Sequence, residues 1–264
     1  MATRRPTPID LKVPPDAATA FRRRLHAWFK KHSRDLPWRQ TRDPYRILVS
    51  ELMLQQTQVS RVLDFYQRFL DRFPDLHSLA CARPKKVMEA WEGLGYYARA
   101  RNLHALAKHV TTAQDGVIPS EPMALRELPG VGAYTAGAVA SFAYEKRAAL
   151  VDTNVARVLQ RVFAPQLHPK SGPGLKQLWH IADQLLPRTG KTTWTHNQAL
   201  MELGALVCTA RVPRCGICPV KVDCATFPLL AAAGRDAVQR EATQREAKKA
   251  AAKITKSTAS GSLD

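Results

Sequence analysis

Apolar side chains return at helical spacing along most of this 264-residue chain. In AATAFRRRLHAWFKKH, Phe21, Leu25, Trp28 and Phe29 fall on one helical face. RDPYRILVSELMLQQTQ opens a second helix, with Asp43 as N-cap and Pro44 at the first helical position. VSRVLDFYQRFLDRF repeats apolar residues at 59, 62, 63, 66, 69, 70 and 73. Further helical patterns lie near 84–92, 98–114, 121–128, 133–144, 152–163, 173–186 and 196–210. Proline and glycine separate them, and strand-like alternation is short and rare. The pattern predicts an all-α fold with short connections.

The periodicity fades at both ends. Residues 1–18 are expected to be a disordered arm, and residues 228–264, rich in Ala, Lys, Arg, Ser and Thr, a mostly disordered basic tail. No apolar run reaches the roughly 20 residues of a membrane helix. The N-terminus has arginines but no apolar segment, so it does not read as a secretory signal. A soluble, intracellular protein is expected.

Charge changes the picture. The formal net charge is +18. Residues 1–18 carry +1 and residues 228–264 carry +3, which leaves +14 on the part that reads as folded. A core this basic points to nucleic acid; the bland reading is a charged, soluble surface.

Cys208, Cys215, Cys218 and Cys224 follow a C-x6-C-x2-C-x5-C spacing. Disulfides do not suit an intracellular chain, so the four thiols read as ligands of one metal centre. Zinc accepts four thiolates, and so does a [4Fe–4S] cluster, whose compact ligand loop fits this run better. Cys81 stands far away and reads as a buried structural thiol.

LPGVG, residues 128–132, is a second feature. Gly130 and Gly132 tolerate positive φ and carry no side chain, so another backbone can come close. The helix after them points free N–H groups outward, which suits one phosphate. On the turn alone, a plain helix–helix connection is an equal reading. Asp152 reads as the N-cap of a helix beginning at Thr153.

These motifs together resemble the endonuclease III branch of the helix-hairpin-helix DNA glycosylases. SELMLQQTQV, residues 50–59, and WEGLGYYARARNLH, residues 91–104, resemble the MutY-type adenine glycosylases within it. The resemblance runs from about residue 20 to residue 227. It implies a two-domain fold: a helical barrel over 37–148, and a cluster domain from 19–36 with 149–227. It implies a [4Fe–4S] cluster on the four cysteines, with Arg211, Arg214 and Lys221 toward DNA phosphates.

The resemblance also implies roles for single residues. Glu51 takes the general-acid position, desolvated by Leu52, Met53 and Leu54, and protonates the leaving adenine. Asp152 stabilises the positive sugar, and Asn154 orders it. Gln56 enters the base stack, Tyr96 wedges beside the orphaned base, and Leu94 lies nearby. Tyr97 reads equally well as core. Leu128, Gly130, Val131 and Gly132 form the hairpin that grips DNA. Trp38 and Arg39 face the pocket. Tyr134 stands where lyase-competent relatives have a lysine, so base removal without strand cleavage is expected.

The implied partner is double-stranded DNA with adenine opposite 8-oxoguanine or guanine. A cytoplasmic, nucleoid-associated monomer is expected. Two departures matter. Many relatives carry a C-terminal Nudix-like domain, for which the 40 residues after Cys224 are too few. Many also have glycine at the position of Thr153. The neighbouring alternatives are a T·G mismatch thymine/uracil glycosylase and a non-catalytic iron–sulfur damage sensor.

Overall fold

A computed structural model describes residues 11–232; the expectations for residues 1–10 and 233–264 lie outside these. Every regular element among the described residues is helical. The helices are α1 (Pro15–His32), α2 (Pro44–Leu54), α3 (Val59–Arg72), α4 (Leu76–Cys81), α5 (Pro84–Trp91) and α6 (Ala98–Ala113). They continue as α7 (Pro122–Arg126), α8 (Ala133–Tyr144), α9 (Thr153–Phe163), α10 (Gly172–Gln184) and α11 (Gly190–Leu206).

The local signals explain most helix ends. Asp43 caps α2 by accepting from the Tyr45 and Arg46 amides, with Pro44 opening the helix. Thr189 caps α11 through the Thr192 amide. This helix therefore starts six residues earlier than its periodicity suggests and stops at Leu206. That end leaves Cys208 outside the helix, at the start of the cysteine loop.

The disorder expected as far as residue 18 does not hold for residues 15–18. Residues 15–18 open α1, whose Phe21, Leu25 and Phe29 are buried. Ahead of it, the Val13 amide donates to Gln184 Oε1 at 2.7 Å, and Gln184 Nε2 donates to the Leu11 carbonyl at 2.9 Å. Helical backbone also covers 227–232, of which 228–232 lie inside the expected tail. Cys81 is exposed rather than buried. Helix α4 has only six residues and turns Leu76, Leu79 and Ala80 inward, which leaves Cys81 outside, 3.5 Å from His77 Nε2.

Helix α8 organises the middle of the molecule. Its sequence, AYTAGAVASFAY, is small and apolar, and Thr135 through Ala143 are all buried. It packs on α2, α7 and α11. Small side chains let the next segment, 148–151, approach very closely. A Cβ at Gly137 would stand 2.1 Å from the Ala149 carbonyl oxygen. Asn197 of α11 holds the same segment by donating to the Ala148 carbonyl and to Ser141 Oγ, both at 2.9 Å. That segment leads straight into Asp152. Gly137→Ala is therefore expected to destabilise the fold by about 1–3 kcal/mol. The measurement is the urea midpoint; an unchanged midpoint would show that the segment yields freely.

Candidate active site

A cleft of ≈ 870 Å³ opens between the ends of several helices, and its walls include Glu51, Tyr134, Asp152, Asn154, Trp38 and Gln56. Glu51 comes from α2, Tyr134 from the first turn of α8, and Asp152 from the start of α9. Residues 83 and 18 positions apart in sequence thus meet in one space.

Glu51 is 3% exposed. Tyr134 Oη donates to Glu51 Oε2 at 2.8 Å and lies 3.7 Å from Met201 Sδ. Burial pushes the Glu51 carboxyl up to about 7; the Tyr134 hydrogen bond opposes this, the Asp152 charge adds to it, and Arg39 opposes it. Burial and the two nearby carboxyls also push the Tyr134 phenol well above its usual range. Tyr134 therefore keeps its proton and donates it, and a proton on Glu51 sits on the other oxygen, Oε1. Leu52 and Met53 are fully buried and Leu54 lines the cleft, so the α2 neighbours of Glu51 are apolar as expected.

Asp152 caps α9 by accepting from the Val155 amide at 2.6 Å, and Asn154 Nδ2 donates to its other oxygen at 2.9 Å. Burial raises its pKa, and these hydrogen bonds pull it back. The sequence does not single out Arg157, which extends this arrangement. Its guanidinium donates to Asn154 Oδ1 (2.8 Å), the Gly204 carbonyl (2.8 Å) and the Cys208 carbonyl (2.7 Å). Its i+3 spacing from Asn154 was the available signal.

Arg39 lines the cleft, as expected of a residue that faces the pocket. Its guanidinium is spent inside the protein, on Gln198 Oε1 (2.8 Å), the Arg34 carbonyl (2.9 Å) and Glu202 Oε2 (2.9 Å). Glu202 is fully buried and also accepts from the Arg34 amide and guanidinium. Burial alone would raise the Glu202 pKa, but these donors hold it down near about 2. The side chains of Leu94, Leu128 and Val131 are buried too. Trp38 is 6% exposed at the cleft wall.

The hairpin joins α7 to α8. Gly130 has φ +77, and a Cβ there would stand 2.5 Å from Asn102 Cβ, so this glycine is required. Gly132 does not use positive φ: it is extended at φ −86 and precedes α8 without a side-chain cap. A Cβ at Gly132 would meet nothing within 4 Å, so the surface there is open to an outside group. Gln56 and Tyr96 are both exposed, and both sit in the left-handed region, at φ +57 and +48. Such backbone costs a non-glycine residue of order 1–3 kcal/mol and is concentrated at working sites. Tyr97 is 39% exposed rather than core.

The four cysteines line one small cavity whose other walls include Val158, Leu203, Val207 and Val220. Among the described residues no group of three or more side chains forms a closed metal-ligand set. Burial, with the charges of Cys208, Cys224 and Cys215 added, pushes the Cys218 thiol up to about 11. Four thiols gathered around one apolar pocket suit a positive centre that displaces their protons. Arg211, Arg214 and Lys221 are exposed around the loop.

The raised Glu51 pKa has a stability consequence. Its ordinary value is 4.5 and its folded value about 7. The carboxyl's contribution is thus fully present below about pH 4.5 and is lost as pH rises through about 7. Glu51→Gln removes that loss, worth on the order of 3 kcal/mol. The variant's thermal midpoint is expected to exceed the wild type's at pH 8 by several degrees more than at pH 5. Parallel curves across this range would contradict a buried, uncompensated carboxyl.

Residues 49–181 match the HhH-GPD superfamily base excision DNA repair proteins. The chain is 47% identical to an adenine DNA glycosylase of Mycolicibacterium smegmatis over 198 residues, 74% of this chain and 66% of that protein. It is 45% identical to an adenine DNA glycosylase of Rattus norvegicus over 215 residues, 78% of this chain and 41% of that protein. The chain thus spans about two fifths of the length of its mammalian relatives. A solved thermostable thymine-DNA glycosylase superposes with a TM-score of 0.74 at 31% identity, covering 81% of this chain and 97% of that one. A trapped endonuclease III–DNA covalent intermediate superposes at 0.70 with 21% identity, covering 83% of this chain and all of that one, a likeness of fold. With Glu51, the hairpin and Asp152 all inside the matched span, the chain belongs to the HhH-GPD superfamily of base excision DNA repair proteins.

Proposed function

We propose that this chain is a monofunctional DNA glycosylase that flips adenine out of mispairs with 8-oxoguanine or guanine and removes it. The observation that carries this reading is the buried Glu51, raised to about 7 and hydrogen-bonded by a phenol that stays protonated. Adenine leaves readily only when protonated, and an acid with a pKa near neutrality is matched to that task. Glu51 protonates the purine at N7. Asp152, immobilised by the Val155 amide and Asn154, lies beside the sugar as positive charge develops there. A water then completes the hydrolysis. Tyr134 has no amine, so no Schiff base forms and the strand stays intact.

The rest of the machinery is read with the same function. The open N-terminus of α8 at Gly132 takes one backbone phosphate, supported by Arg211, Arg214 and Lys221. Gln56 and Tyr96 enter the duplex as the base leaves the stack. Cys208, Cys215, Cys218 and Cys224 would hold a [4Fe–4S] cluster, which ties the basic loop into a fixed shape. The domain division is read as a helical barrel over 37–148 and a cluster domain from 19–36 with 149–227, with the cleft between them. The named adenine glycosylases among the relatives support the choice of base.

A specific observation favours one alternative. The thermostable thymine-DNA glycosylase is 31% identical and almost fully covered by this chain. Thymine excision from T·G has less use for an acid aimed at a purine nitrogen. The deciding experiment is single-turnover cleavage of labelled duplexes carrying A·8-oxoG, A·G and T·G, followed by alkali. Adenine excision is expected, with Glu51→Gln slower by at least about 100-fold. The rate is expected to fall about tenfold per pH unit above roughly pH 7, because the acid loses its proton there. Borohydride is expected to trap little enzyme on the product. Cleavage only at T of T·G would establish the alternative instead, and efficient trapping would overturn the monofunctional reading.

A further inference from the structure

Arg99 lies in α6 and is 6% exposed, and it makes no ion pair among the described residues. Its guanidinium is spent on six backbone carbonyls of two separate turns. On one side it donates to Leu52 (3.0 Å), Met53 (2.6 Å) and Gln55 (2.6 Å). On the other it donates to Leu94 (3.3 Å), Gly95 (3.0 Å) and Tyr96 (3.4 Å). The first set comes from the C-terminal end of α2, whose carbonyls have no partner within the helix. The second is the turn between α5 and α6. The charge also lies 5.5 Å from the ring centres of Trp91 and Tyr96.

Each turn ends in an exposed non-glycine residue with left-handed backbone, Gln56 at φ +57 and Tyr96 at φ +48. Asp115 and Glu145 are the other two described non-glycine residues with left-handed backbone, and neither lies near Arg99 in the chain. Strained backbone persists only where its surroundings hold it. Here one planar fork of donors does the holding for both turns. A lysine ammonium has its donors at a single point and cannot span two separated rows of carbonyls.

We propose that Arg99 is a positioning residue for duplex opening: it locks the Gln56 turn and the Tyr96 turn into one rigid double wedge. The two side chains then meet DNA already oriented, and the cost of ordering them falls on folding rather than on binding. The inference rests on the glycosylase reading of the cleft and extends it to a residue that touches neither base nor sugar.

The test is Arg99→Lys in the full chain, with four readouts. Amide hydrogen exchange is expected to speed up at least about tenfold in 52–57 and 93–97 and to stay unchanged in α8. Affinity for undamaged duplex is expected to stay within about threefold, because the phosphate contacts lie elsewhere. The fluorescence rise of 2-aminopurine placed at the target position is expected to fall by at least about half. Excision is expected to slow at least about tenfold in a closed A·G duplex but to stay within about threefold when the adenine lies in a preopened bubble.

Unchanged exchange in the two turns would overturn the proposal, and so would an equal rate loss on the bubble substrate. If the wild type excises no base from any duplex, the glycosylase reading fails separately. The exchange and aminopurine arms then still decide the clamp. Should the lysine variant melt below the assay temperature, Arg99→Gln, which keeps a planar donor in the space, replaces it with the same expectations.

Discussion

The close approach of α8 to the segment after it is the constraint on which the rest of the structure depends. A helix of small residues, buried from Thr135 to Ala143, lets the 148–151 backbone pass within contact of Gly137. One end of that helix carries Tyr134 to Glu51, and the segment it admits carries Asp152 to the same cleft. A larger side chain at Gly137 would push the Ala149 carbonyl outward, and Asp152 follows three residues later. Core packing and the placement of both carboxyls are therefore one problem. Dense interiors transmit such shifts rather than absorb them.

The two carboxyls differ because their surroundings differ. Glu51 is enclosed and receives one phenolic hydrogen bond, so desolvation dominates and its proton is retained near neutrality. Asp152 caps a helix and accepts from Val155 and Asn154, so the opposing hydrogen bonds are more numerous. Glu202 shows the third outcome: equally buried, it is surrounded by Arg34 and Arg39 and stays firmly ionised. Environments that push pKa values apart divide the labour of acid and charge stabiliser between chemically similar groups. Arg157 joins Asn154 to the Cys208 carbonyl, so the support of Asp152 reaches the first cysteine of the loop.

Much of the site was legible in the chain because it rests on local rules. Asp43 and Asp152 act as caps at the positions that their sequence context marks. The motif around Glu51, the left-handed Gly130 and the four cysteines were also visible. What the chain did not show depends on distant partners. Arg39 read as a pocket residue, and nothing local showed that its donors go to Gln198 and Glu202, about 160 residues away. Leu94, Leu128 and Val131 sit in exposed-looking motifs, yet their side chains belong to the core. Cys81 was expected inside, and the short span of α4 turned it out. Arg99 gave no signal at all, because its partners are carbonyls, which every residue type carries.

The chain by itself determined the all-helical architecture, the capped starts of α2 and α9, the turn at Gly130 and the candidates for the chemistry. These follow from spacing, capping and backbone freedom over a few neighbouring residues. Only the tertiary structure decided the states of those residues. The raised pKa of Glu51, the proton kept by Tyr134 and the ionised Glu202 all depend on burial and on charges brought from elsewhere in the chain. Desolvation and Coulomb interactions act through space, and the distances that set them exist only after the helices have packed.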